Sequence, residues 1–173
     1  MKVLYSFMLI FFILTPLGWS KDIDLFFIER NKNKNEVHYQ IHVDGNCRIT
    51  SDEPITGYWK VIEEGPDKTR KFTVFDNMAY SIINQKVENN WVFFNLKALK
   101  TRLIKSTVKQ NPSTNTCESV VQTKINNKWA DLERIYVLSK EGFIMPKVIY
   151  VDVIGKSLGP QSEEVIERIK PSS

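Results

Sequence analysis

The chain has 173 residues, 42% hydrophobic and 25% charged, with a formal net charge of +4. That length suits one domain of ordinary size with room for a packed core. The charge is mild and interspersed, as on a soluble surface, and too weak to argue for a nucleic-acid partner.

The N-terminus begins Met1-Lys2, runs apolar from Val3 to Leu14 apart from Tyr5 and Ser6, and leaves that run at Thr15-Pro16. Gly18 and Ser20 place small residues where a signal peptidase reads them. This is the pattern of a cleaved secretory signal. The run is shorter than the roughly 20 apolar residues that a spanning helix requires. Residues 1–20 are therefore expected to be a signal peptide. Residues 21–173 are expected to form a single β-rich domain in the periplasm or outside the cell, with no membrane span after cleavage.

Strands are expected at Ile23–Arg30 and Val37–Val43, joined by a turn over Asn31–Asn35. Asp44-Gly45 then predicts a hairpin into Cys47–Thr50, because Asp-Gly accepts the positive φ that two-residue turns demand. Further strands are expected at Gly57–Glu63 and Lys71–Phe75, with a short helical turn near Asn77–Tyr80. Asn89-Asn90 separates Ile82–Glu88 from Trp91–Leu96, and Asn126-Asn127 separates Cys117–Ile125 from Trp129–Leu138. Asparagine tolerates the left-handed region, so both pairs read as turns. Two-residue turns would pair Val87 with Val92, Gln85 with Phe94 and Ile83 with Leu96. They would also pair Val121 with Leu132 and Thr123 with Ala130, which leaves Arg134 on the core face opposite Ser119. Strands at Arg102–Lys109 and Val148–Gly155 complete the set, with a loop at Lys140-Glu141-Gly142.

The tail reads as a helix. Ser162 can cap it, Glu163 and Glu164 fill its first turn, Arg168 and Lys170 its last, and Pro171 stops it. Val165, Ile166 and Ile169 form its apolar stripe. Short strands in meander order with one C-terminal helix predict a mainly β fold. The expected form is an antiparallel up-and-down barrel of calycin-like architecture, or a sandwich.

Two cysteines, Cys47 and Cys117, are present. An even count in an exported chain points to a disulfide, and two buried free thiols are the alternative. The two histidines, His38 and His42, alternate with apolar residues on a strand. Four strand residues span about 13 Å, too far for one metal ion with ligand bonds of about 2 Å. Both are read as polar-face residues; a histidine on the face of Glu36 could sense pH. Between Glu88 and Glu118 no carboxylate occurs, while Lys97, Lys100, Arg102, Lys105 and Lys109 do. Such a patch could meet an anionic surface or an acidic partner, or simply be a solvated face. No nucleophile elbow or zinc motif is present, and no cofactor is expected.

Several stretches resemble a known family. They are Phe26-Phe27-Ile28-Glu29-Arg30-Asn31-Lys32-Asn33-Lys34-Asn35, then Tyr39, Gly57-Tyr58-Trp59-Lys60 and Met78-Ala79-Tyr80-Ser81, with a fainter echo at Tyr150–Gly155. Together they are similar to exported bacterial proteins of the DUF4833 group, a domain of unknown function. Asn31 stands where that pattern has serine and Ser81 where it has glycine. The resemblance implies an envelope location and no known activity. Within it, Arg30 is expected to lie over Trp59 or Tyr80 as a cation–π contact, since a charge at a covered strand end must be paired or stacked.

The leading expectation is a non-enzymatic envelope protein that binds a small apolar or amphipathic ligand, with Arg30, Tyr58, Trp59, Tyr80 and Arg134 as its binding residues. The second is an interaction module that docks on another envelope component through its basic face. Catalysis is third.

Overall fold

The computed structural model describes residues 20–141 and 146–171. The expected signal segment up to Trp19, and Gly142 of the expected 140–142 loop, lie outside the described residues. In chain order the elements are β1 (Lys21–Arg30), β2 (Glu36–Val43), β3 (Ile55–Lys60), a 3₁₀ turn at Ile62–Glu64, β4 (Thr69–Lys71) and α1 (Val74–Tyr80). There follow β5 (Ile82–Glu88), β6 (Trp91–Leu96), β7 (Leu99–Gln110), β8 (Cys117–Ile125), β9 (Lys128–Lys140), β10 (Lys147–Ser157) and β11 (Glu164–Ile169). Among the described residues no helix is long and apolar enough to cross a membrane.

Paired asparagines make the tight turns. Asn89 and Asn90 take φ of 49° and 63°, and Asn126 and Asn127 take 51° and 64°. Two consecutive left-handed residues define the turn whose twist matches its flanking strands. Val87 accordingly pairs with Val92, and Thr123 with Ala130. Further along β5 the expected register fails. Asn84 takes φ 57°, a bulge forms, and Ile82 rather than Ile83 pairs with Leu96.

Strand β9 organises the sheet. Along one edge it pairs with β10 from Ala130 to Lys140. Along the other it pairs first with β8, over Lys128–Asp131, and then with β1, over Arg134–Val137. The β1–β9 ladder is parallel, so the sheet is mixed rather than a pure antiparallel meander. From this fork one arm runs β1-β2-β3-β4 and the other β8-β7-β6-β5. The arms meet over a shared core, where Phe26 stacks on Tyr39 at 4.8 Å and on Phe94 at 6.4 Å between centroids. Val37, Ile41, Val92, Leu96 and Ile104 fill the space around them. Burying each such side chain contributes about 1.5–3 kcal/mol.

The expected closed barrel is not formed. No ladder joins the β3–β4 edge to β5. Instead the Gln85 amide oxygen accepts from Ile55 N–H at 3.0 Å, and its nitrogen donates to Ile55 C=O at 3.2 Å. One side chain thus copies a peptide group where the Asn84 bulge interrupts β5.

The expected C-terminal helix is strand β11. Exposure alternates along it, with Val165, Glu167 and Ile169 the more covered side chains. β10 offers an edge that needs a ladder, and β11 fills it from Val151↔Ile169 to Lys156↔Glu164. Arg168 locks the pair. It donates twice to Asp152, at 2.7 Å each, and lies 3.7 Å from the Tyr150 ring centroid. Those bonds hold the Asp152 carboxyl below its ordinary range.

Three shorter expectations also change. Cys47–Thr50 is not a strand, because the Asp44 carboxylate accepts from Asn46 and Arg48 N–H and curls the chain into a loop. β3 then supplies the partner of β2. The expected strand at Lys71–Phe75 ends at Lys71, because Thr73 and Asp76 form a capping box that starts α1. The expected strand at Gly57–Glu63 stops at Lys60 and tightens into the 3₁₀ turn. The cysteines do bridge: Cys47 and Cys117 form a disulfide with a Cα–Cα distance of 5.4 Å.

Candidate functional site

Arg30 is the last residue of β1, and Trp59 sits on β3 two strands away. Trp59 is 4% exposed, and the Arg30 guanidinium carbon lies 4.3 Å from its ring centroid. Arg30 also donates to the Asn33 side-chain oxygen at 2.9 Å. The expected stack therefore forms on Trp59, and Tyr80 meets the same indole edge-on at 5.5 Å. A second guanidinium, that of Arg70 on β4, lies 6.0 Å from the indole centroid. Its other neighbour is Asp76, 3.8 Å away. Burial alone would raise the Asp76 carboxyl, yet it is held below its ordinary range. Bonds from the Thr73 hydroxyl and backbone lower it, with weaker help from the Trp59 indole and the Arg70 charge.

Around this group opens a cleft of about 410 Å³, whose walls include Arg30, Asn33, Asn35, Trp59, Arg70 and Asp76. One donor on these walls, Arg30 Nε, is buried with no hydrogen-bond partner among the described residues. A buried N–H without an acceptor costs about 1–3 kcal/mol.

Tyr58 and Arg134 lie elsewhere. Successive strand residues face opposite sides, so Tyr58 is on the outer surface while Trp59 points inward. The Tyr58 hydroxyl donates to Asp24 at 3.0 Å. Its pKa is pushed up to about 12, by burial first and then by the Asp24 bond and the Asp24 and Asp22 charges. Arg134 was expected on the core face. A bulge at Glu133, between the pairs Ile154↔Arg134 and Gly155↔Leu132, turns it out toward Glu29 at 3.5 Å.

Asn33, part of the stretch that carries the family resemblance, lines the cleft with Arg70 and Asp76, two residues that nothing in the sequence marked as site residues. The Thr73-x-x-Asp76 spacing is a legible capping signal, whereas nothing local to Arg70 marks it as a partner of Trp59. The two departures from the family pattern are accommodated. Asn31 donates to Ser139 C=O and accepts from Ser139 N–H, both at 2.9 Å, and so ties β1 to β9. Ser81 takes φ −63°, which any residue can adopt. The basic stretch is divided in use. Arg102 bonds Glu167 at 2.7 Å and Lys124 C=O, and Lys105 lies between Trp91 and Trp129, at 4.6 and 4.2 Å from their centroids.

Arg30→Ala removes a partly buried cation–π stack worth about 1–2 kcal/mol. The variant is expected to melt about 3–6 °C lower, as read by circular dichroism; an unchanged melt would show that the stack adds no stability.

A comparison with curated proteins returns no match, and neither does one with solved structures. The family model for DUF4833, a domain of unknown function, matches residues 26–168. That span takes in every residue of the cleft and all but the first five residues of β1 and the last residue of β11, and the chain belongs to this family.

Proposed function

We propose that the protein is an exported binding module that takes a small amphipathic anion in the Arg30–Trp59–Arg70 cleft. The observation that carries this reading is the pair of guanidiniums beside the Trp59 indole, Arg30 at 4.3 Å and Arg70 at 6.0 Å from its centroid, on the walls of one open cleft. A carboxylate or phosphate there would accept charge-assisted hydrogen bonds. An apolar tail has a place to lie. Helix α1, which contributes Asp76 to the cleft, turns Val74, Phe75 and Met78 to solvent, with Phe75 76% exposed. Exposed apolar groups gathered on one short element mark a contact surface more often than chance scatter does. The site is thus an open cleft rather than the lumen of a closed barrel.

Isothermal titration calorimetry with dodecanoate below its micelle concentration tests the reading. Binding is expected, weakened by about tenfold in Arg70→Ala, the loss of one charge-assisted contact. Butanoate should bind more weakly than dodecanoate, and Phe75→Ser should erase that difference. Identical heats for the wild type and both variants would refute it.

Docking on an exported partner through the basic face is the second reading. A groove of about 880 Å³ lined by Lys97, Lys100, Arg102, Lys124 and Lys170 favours it. Arg102 and Lys105 are already held by internal contacts, and so the cleft is preferred.

A further inference from the structure

On the outer face of β1, β2 and β3, three side chains join in a line. Asp22 and His42 are cross-strand partners, and Gln40 pairs with Thr56 one step along. The His42 Nδ1 lies 2.5 Å from Asp22 Oδ1, and its Nε2 lies 2.8 Å from Thr56 Oγ1. The other Asp22 oxygen accepts from the Gln40 amide at 3.2 Å. The order of donors follows from chemistry. An ionised Asp22 can only accept, so Nδ1 carries the hydrogen. In a neutral ring Nε2 then holds a lone pair, and Thr56 must donate its hydroxyl proton to it. This is the carboxylate–imidazole–hydroxyl arrangement that activates a hydroxyl nucleophile, and it is recognised by geometry rather than by sequence order.

The other histidine makes a control within the same sheet. His38 bonds Glu36 at 2.7 Å but is 9% exposed and stacked between Phe27 and Tyr58, with no hydroxyl from the described residues on its second nitrogen. His38 is built into the wall, whereas Thr56 is exposed on a groove of about 830 Å³. Asp22, His42, Tyr58, Arg70 and Lys71 line that same groove. Lys71, paired with Tyr58 and so on the same face of the sheet as Thr56, is a cation suited to an oxyanion that develops during attack.

We propose that Asp22, His42 and Thr56 form a proton relay that makes Thr56 an acyl acceptor for small, anionic esters. Thr56 Oγ bonds to the carbonyl carbon as its proton passes to His42 Nε2. The ester C–O bond then breaks, and the leaving alcohol takes that proton. A water molecule, deprotonated by the same nitrogen, hydrolyses the acyl-threonine and restores the hydroxyl. Asp22 holds the ring in the working tautomer throughout. The relay stands apart from the Trp59 cleft and does not depend on a ligand there.

The purified, folded chain treated with a fluorophosphonate tests this. Attack forms an Oγ–P bond, breaks P–F, and releases fluoride with the proton from His42. One adduct per chain is expected, mapped to Thr56 by peptide mass spectrometry and absent from urea-unfolded protein. Thr56→Ala should not label, and Thr56→Ser should label at least as fast as wild type. His42→Gln and Asp22→Asn should label more slowly by a factor on the order of 10² or more, given the weight of these roles in hydroxyl relays. Circular dichroism of each variant separates loss of labelling from loss of fold. An adduct that persists in Thr56→Ala, equal rates in folded His42→Gln, or no adduct in either wild type or Thr56→Ser would overturn the proposal.

Discussion

Replacing Cys47 and Cys117 together by alanine is expected to destabilise the fold by about 4 kcal/mol. The bridge joins residues 70 apart in sequence and ties the loop after β2 to the first residue of β8. Closing a loop of that length removes much of the freedom of the unfolded chain, and this sets the expected size. The native side contributes too. Cys47 is buried in the core cluster and takes φ 61°, a conformation that the bridge helps to hold. The melting temperature should fall by about 10 °C for a domain of this size. Urea denaturation of the double variant, with the wild type in reducing buffer beside it, gives the measurement. A loss below about 1 kcal/mol in both would mean that the arms hold together without the bridge.

Gly155→Ala should be damaging on a similar scale. A Cβ at that position would lie 2.1 Å from the backbone oxygen of Asp131 and 3.0 Å from the Ile125 side chain. A side chain can rotate away, but Asp131 C=O is part of the β9 ladder, so β9 and β10 would have to separate. The cost is expected to exceed about 3 kcal/mol, the range of core overpacking that cannot relax. Gly57→Ala provides the contrast. Its Cβ would meet the edge of the Phe72 ring at 2.6 Å, and a ring can shift. That variant should fold with a loss of about 1–2 kcal/mol. Comparing the two by thermal melts checks the argument, and equal effects would show that Asp131 yields as readily as Phe72.

How much of the site was legible depends on where each residue's partner lies. Arg30 at the end of an apolar strand needed an aromatic or acidic neighbour on general grounds, and Trp59 is that neighbour at 4.3 Å. Arg70 carries no such local requirement. It reaches the indole because β4 pairs with β3 and places it opposite Trp59. The Asp22–His42–Thr56 line was equally hidden. The spacing of His38 and His42 excluded a shared metal but said nothing of which strands would flank them.

Local conformational preference explains what the sequence determined by itself. Asparagine pairs accept positive φ, so the turns at 89–90 and 126–127 lie where the chain says they must, and the strands beside them follow from period-two patterning. The outcome at β11 was not local. Ser162 and the charges of Glu163, Glu164, Arg168 and Lys170 suit a helix, whereas Val165, Ile166 and Ile169 are β-branched and suit a strand. The unpaired edge of β10, with Asp152 awaiting Arg168, decided between them. Arg134 turned outward for a similar reason. A single bulge at Glu133 lets Leu132 and Ile135 both reach the core, and every residue beyond it changes face. The parallel β1–β9 ladder and the Gln85 bridge belong to the same class. They join segments far apart in the chain, and only the packed arrangement of the two arms brings those backbone groups within bonding distance.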